Sequence, residues 1–121
     1  MPIGANNSLV WYPITSRKQL SSFREEHLRS VVFFTAPWCF RCKTLAPKFS
    51  GFPADFPSIN FYSLDLDEVE EVGDELIIST LPTFILYLHG KEVHRIEGVP
   101  QQRPARVLAK AISQFLLAER D

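Results

Sequence analysis

The spacing of apolar and polar positions changes several times along the chain, and each change marks an element. Residues Leu9 to Ile14 are largely apolar and aromatic, which predicts a first strand. Ser16 and Gln19 then stand three apart ahead of a periodic segment. This is a capping box in which the serine serves the amide of the third helical residue and the glutamine reaches back. Leu20, Phe23, His27 and Leu28 follow on one helical stripe, so a first helix is expected down to about Arg29. The run from Val31 to Ala36 is β-branched and aromatic with apolar residues on both faces, which predicts a central strand covered on both sides. A second helix is expected from Cys39 to about Phe49, with Pro47 inside it, where the missing N–H should kink the chain.

Residues Ile59 to Leu64 predict a third strand, and the acidic stretch Asp65 to Glu75 carries Val69, Val72 and Leu76 at helical offsets. A short third helix with a solvated face fits there, weakened at its end by Gly73. Thr83 to Leu88 and Glu92 to Ile96 predict two strands joined by the tight, glycine-bearing turn at His89, Gly90 and Lys91. Pro104 opens a last helix whose Val107, Leu108, Ala111, Ile112, Phe115 and Leu116 form a core face. The order is βαβαβαββα. Crossovers between the early strands require parallel pairing and the hairpin requires antiparallel pairing, so the fold class is α/β with a mixed central sheet flanked by helices on both faces. Residues 1–8 are expected to be a flexible N-terminal extension and residues 9–121 one domain.

The chain has 121 residues, enough for one sizeable core. Thirteen Lys and Arg against 14 Asp and Glu give a formal charge of −1, which supplies no positive field for nucleic acid or for an anionic membrane surface. Its apolar tracts are broken by Thr35, Pro37, Thr83 and His89 before they reach the length of a membrane span. Residues 1–8 lack the basic start and apolar segment of a secretory signal, and a cytoplasmic monomer is expected. The two cysteines, Cys39 and Cys42, are close neighbours and hold no distant segments together.

That pair carries the chemistry. Trp38-Cys39-Phe40-Arg41-Cys42 sits between a buried strand and a helix, the setting in which a C-x-x-C reads as redox-active. Unpaired amides at a helix start stabilise a thiolate, so Cys39 is expected to attack a disulfide and Cys42 to resolve the adduct. One helical turn brings the two Cα atoms to roughly 5–6 Å, within the span a disulfide tolerates. A metal site is disfavoured, since His27, His89 and His94 lack ligand spacing and two thiolates are too few for zinc or an iron–sulfur cluster.

The sequence resembles the thioredoxin family from about Leu9 to the final helix. The resemblance rests on Ala36-Pro37-Trp38-Cys39-x-x-Cys42-Lys43 with Pro47 downstream, on Leu81-Pro82-Thr83, and on Gly98 after the hairpin. It implies a thioredoxin fold, a cis peptide before Pro82 beside the dithiol, and a thiol–disulfide oxidoreductase that needs no bound cofactor. Its partners would be disulfide-containing protein substrates and a recycling dithiol reductase. Trp38, Phe40, Leu81, Pro82 and Val99 would form an apolar platform bordered by Gly98, with Leu81 backbone groups pairing the substrate chain.

Two departures stand out. Phe33 occupies the position of the family's buried acid, and Ser63 that of the lysine beside it, so the usual proton acceptor for the resolving cysteine is missing. Phe40-Arg41 replaces Gly-Pro, placing a bulky ring and a permanent cation beside the thiols, where Arg41 would favour the thiolate of Cys39. These departures keep open a second reading, a non-catalytic interaction or redox-sensing module on the same fold.

Overall fold

The computed structural model describes residues 11–118. Leu9 and Val10 of the expected first strand, the expected extension at residues 1–8 and residues 119–121 lie outside the described residues. The elements are β1 (Tyr12–Ile14), α1 (Arg17–Glu26), β2 (Arg29–Thr35), α2 (Phe40–Leu45), α3 (Phe52–Asp55), β3 (Asn60–Asp65), α4 (Glu70–Glu75), β4 (Thr83–Leu88), β5 (Lys91–Glu97) and α5 (Pro104–Ile112). The five strands form one sheet in the order β1-β3-β2-β4-β5. β1, β3 and β2 run parallel, while β4 is antiparallel to β2 and β5 to β4.

Alternation along the central strands builds two cores, one on each face of the sheet. Val31 and Phe33 of β2, with Phe84 and Leu86 of β4, point into a cluster closed by Leu45, Phe49, Phe52, Leu108 and Ile112. Val32, Phe34, Ile85 and Tyr87 point to the other face, against Leu20 of α1 and Val72 of α4. The run read as a doubly covered strand is therefore the middle of the sheet. Trp11 anchors the chain's entry, its indole N–H donating to the Phe49 carbonyl at 3.0 Å.

Local chemistry explains most element boundaries. Ser16 Oγ accepts the Gln19 amide at 3.1 Å, as the capping box requires, and Gln19 Oε1 reaches back to the amide of Thr15 at 2.7 Å. The first helix stops at Glu26 instead of Arg29: His27 is already extended, and Arg29 is committed to the ladder with Leu88. The helix holding the cysteines is broken where Pro47 removes an amide, so α2 ends at Leu45 and Ala46–Phe49 tightens into a 3₁₀ turn. The short α3 at Phe52–Asp55 has no counterpart in the sequence reading. The acidic helix begins at Glu70 and not at Asp65, because Asp65 ends β3 and its carbonyl accepts the amides of Glu68 and Val69, both at 3.0 Å. His89 and Gly90 both take positive φ, 54° and 82°, which makes the two-residue turn that a twisted hairpin prefers.

Candidate active site

The C-terminal end of β2 delivers the chain to the site. The Cys39 amide donates to the Ala36 carbonyl at 3.0 Å, which folds Ala36–Cys39 into a tight turn. Cys39 then caps α2, its Sγ accepting the amide of Cys42 at 3.2 Å. The two cysteines form a disulfide with Cα atoms 5.3 Å apart, inside the expected span. An amide donor directed at Cys39 Sγ is the kind of contact that favours a thiolate once the disulfide is opened.

The sulfurs are less open than the sequence suggests. Cys39 is 6% exposed and Cys42 1%. Both belong to the cluster of Phe33, Leu45, Phe49 and Phe84. Cys39 is the outer of the two, and the apolar surface around it comes from Trp38, 69% exposed, and Phe40, 75% exposed. Trp38 is held by its indole N–H, which donates to Asp67 Oδ1 at 3.2 Å. The sequence pattern places Asp67 only on a solvated acidic face. Its amide in turn donates to Asp65 Oδ1 at 2.8 Å, so the end of β3 orients the ring beside the dithiol.

Two further loops complete the site. Leu81–Pro82 is a cis peptide, as the resemblance implies, and Leu81 is half-buried against both core clusters. The Thr83 hydroxyl donates to the Thr80 carbonyl at 2.6 Å, closing the loop before β4. Gly98 has φ 61°, and its amide donates to the Pro82 carbonyl at 3.0 Å, which ties the end of β5 to the proline loop. A Cβ at Gly98 would stand 3.1 Å from Thr80 Cγ2, so the glycine serves close approach as well as backbone conformation.

Val99, Pro82 and Arg41 depart from expectation. Val99 is 1% exposed and packs in the cysteine cluster, and Pro82 is buried too, so both lie beneath the platform and leave its surface to Trp38, Phe40 and Leu81. The Arg41 guanidinium donates to the Val99 carbonyl, so it bridges α2 to the loop after β5 instead of standing as a free cation beside the thiols. Phe33 is 2% exposed, with ring centroids 4.9 Å from Phe84, 6.1 Å from Trp11 and 6.2 Å from Phe49. It pairs in register with Ser63. Among the described residues the buried polar groups are Ser30 and Thr83, so no carboxyl shares the interior with Cys42.

The histidines stand elsewhere: His94 stacks on Phe115 at 4.1 Å, His27 ends α1 near Tyr62, and His89 lies in the hairpin turn. Among the described residues no cluster of three His, Cys, Asp or Glu is placed to hold a metal ion, and no helix is long and apolar enough to cross a membrane.

A family model described as Thioredoxin matches residues 14–114. Thioredoxin-1 of Saccharomyces cerevisiae is 41% identical over 68 residues, covering 56% of this chain and 66% of that protein, just under two thirds of its length. Thioredoxin H8 of Arabidopsis thaliana is 32% identical over 99 residues, covering 82% of this chain and 67% of its own length. The crystal structure of the reduced Schistosoma mansoni thioredoxin pre-protein is similar with a TM-score of 0.77 and 32% identity, over 88% of this chain and 98% of that one.

Proposed function

This chain belongs to the thioredoxin family, and from that premise we propose that it is a thiol–disulfide oxidoreductase acting on protein disulfides through Cys39 and Cys42. The observation that carries the reading is the disulfide at the start of α2 with the Cys42 amide donating to Cys39 Sγ. In the reduced enzyme Cys39 is the nucleophile. Its thiolate attacks one sulfur of a substrate disulfide, forming a mixed disulfide and releasing the other substrate sulfur as a thiolate. Cys42 then loses its proton and attacks Cys39 Sγ. This re-forms the Cys39–Cys42 disulfide and releases the second substrate thiolate, so two electrons pass from the dithiol to the substrate. A dithiol reductase restores the pair.

Trp38 and Phe40 offer apolar surface to the substrate, Leu81 offers backbone groups beside Pro82, and Gly98 lets the two loops approach. Arg41 holds the far wall by its bond to Val99. The protein works as a monomer in the cytoplasm, free of membrane and nucleic acid, with residues 9–121 as its one domain. The formal charge of −1, which supplies no positive field for a phosphate backbone, supports the exclusion of nucleic acid.

Cys42→Ser should accumulate mixed disulfides on Cys39, and Cys39→Ser should reduce no protein disulfide. Mass spectrometry of the trapped adducts checks the order, and adducts confined to Cys42 would reverse it. The replacement of a buried acid by Phe33 favours a second reading, a binding module that seldom cycles its thiols. Alkylation at graded pH separates the two: a Cys39 that reacts well below neutral pH belongs to the enzyme, and two sluggish thiols belong to the module.

A further inference from the structure

Ile77 is a β-branched residue held at φ 56°, in the left-handed region where a branched side chain crowds the backbone. The cause is the end of α4. The Ile78 amide donates to the Gly73 carbonyl at 2.9 Å and the Ile77 amide to the Asp74 carbonyl at 3.3 Å. That pair of bonds places Ile77 at the helix-ending position that glycine usually fills. The conformation is fixed from a second side, because Arg95 Nη1 donates to the Ile77 carbonyl at 3.1 Å and Arg95 is itself clamped by Glu92 through two bonds of 2.8 Å.

No burial of the side chain offsets this strain. Ile77 is 75% exposed and joins neither core cluster, so its side chain gains no burial in return for the conformation it imposes. A buried isoleucine in a strained turn would need no explanation beyond packing. An exposed one retains its apolar surface for a contact outside the chain.

The surroundings say which contact. Ile77 lies in the uncharged run Leu76-Ile77-Ile78-Ser79-Thr80-Leu81 that leads to Pro82, and Ser79 and Thr80 are exposed with it. It stands four positions before Leu81, at most about 14 Å of extended chain. A protein interface of ordinary size covers about 800 Å² on each partner, a disc of roughly 16 Å radius. A folded partner seated on Trp38, Phe40 and Leu81 is therefore large enough to cover Ile77 as well, which a small disulfide is not. We propose that Ile77 is a specificity-determining anchor for disulfide-bearing proteins, receiving an apolar side chain of the partner that lies beside its reactive cysteine. This rests on the oxidoreductase reading and adds to it a distinction between protein and small-molecule disulfides.

The test compares the parent with Ile77→Gly and Ile77→Leu, using insulin with dithiothreitol as the reductant and, for the small disulfide, single-turnover reaction of the pre-reduced protein, freed of dithiothreitol, with 5,5′-dithiobis(2-nitrobenzoic acid). Ile77→Gly should melt about 3–6 °C higher, because glycine accepts the left-handed conformation. It should lose about five- to tenfold in kcat/KM for insulin, chiefly through KM, and keep its rate with the small disulfide. Ile77→Leu should keep the insulin rate. Equal loss on both substrates, no loss on either, or no rise in melting temperature overturns the inference. A parent inactive on both substrates overturns the oxidoreductase reading instead.

Discussion

Resolution of the mixed disulfide is the step where Phe33 should be felt. Cys42 must shed a proton before it can attack Cys39 Sγ, yet it is 1% exposed and packed among Phe33, Leu45, Phe49 and Phe84. With no buried carboxyl among the described residues, the proton must leave to solvent. The decay of a preformed mixed disulfide on Cys39 should therefore follow the thiolate fraction of Cys42, rising about tenfold per pH unit from pH 6 to 8 without levelling. Phe33→Asp restores an acceptor whose own acidity is weakened by burial, which suits it to act near neutrality. A positioned base contributes at least about 10²-fold, so this variant should resolve the adduct about 10²-fold faster than Phe33→Asn, which loses the same ring and gains no base.

The cost of either change follows from the packing. The Phe33 ring is 2% exposed and touches three aromatic neighbours. Its loss should remove about 3–5 kcal/mol, a large part of the roughly 5–15 kcal/mol that holds a domain of this size together. Rate and stability thus move in opposite directions. The assay is single-turnover decay of the adduct by stopped flow, with folding checked by circular dichroism. A parent rate that levels off below pH 7, or a folded Phe33→Asp no faster than Phe33→Asn, refutes the reasoning. If neither variant folds, the pH profile of the parent decides alone.

Gly98→Ala forces a side chain into the left-handed region at φ 61° and places its Cβ 3.1 Å from Thr80 Cγ2, so stability in urea should fall by about 1–2 kcal/mol. A midpoint equal to the parent's would show that the loop gives way freely. Burial pushes the Tyr87 phenol up to about 12, and the Arg24 guanidinium 5.0 Å from its ring centre offsets this only in part. Tyrosine in the unfolded chain ionises near pH 10, so the unfolded state releases this proton first and stability falls as pH rises from about 10 to 12. Tyr87→Phe should flatten that part of the curve of urea midpoint against pH, and an unchanged slope would assign the loss to other groups.

The sequence alone determined what depends on neighbours along the chain. Alternating apolar residues in β2 and β4 fixed a strand buried on both faces, Ser16 and Gln19 fixed the start of α1, and Pro47 fixed the break after α2. The same holds for the dithiol, because a turn after a strand and a helix start three residues long are enough to bring Cys39 and Cys42 together. Where sequence reasoning overran, as at Arg29 and Asp65, a helical period continued into residues that a strand ladder had already claimed.

Tertiary structure decided what depends on partners far apart in sequence. Arg41 meets the Val99 carbonyl 58 positions away, and Trp38 meets Asp67 across 29 positions. Neither contact has a periodic or compositional signal, since it forms only after the sheet brings the C-terminal ends of β2, β3 and β5 to one end of the sheet. Val99 follows a strand end and reads as exposed, yet packing of the loop against the cysteines turns it inward. Ile77 carries an apolar side chain. The hydrogen bonds that end α4 and the reach of Arg95 from β5 hold its backbone left-handed and its side chain in solvent. An amino acid's hydrophobicity states what burial would gain, and only the folded chain determines whether burial is available.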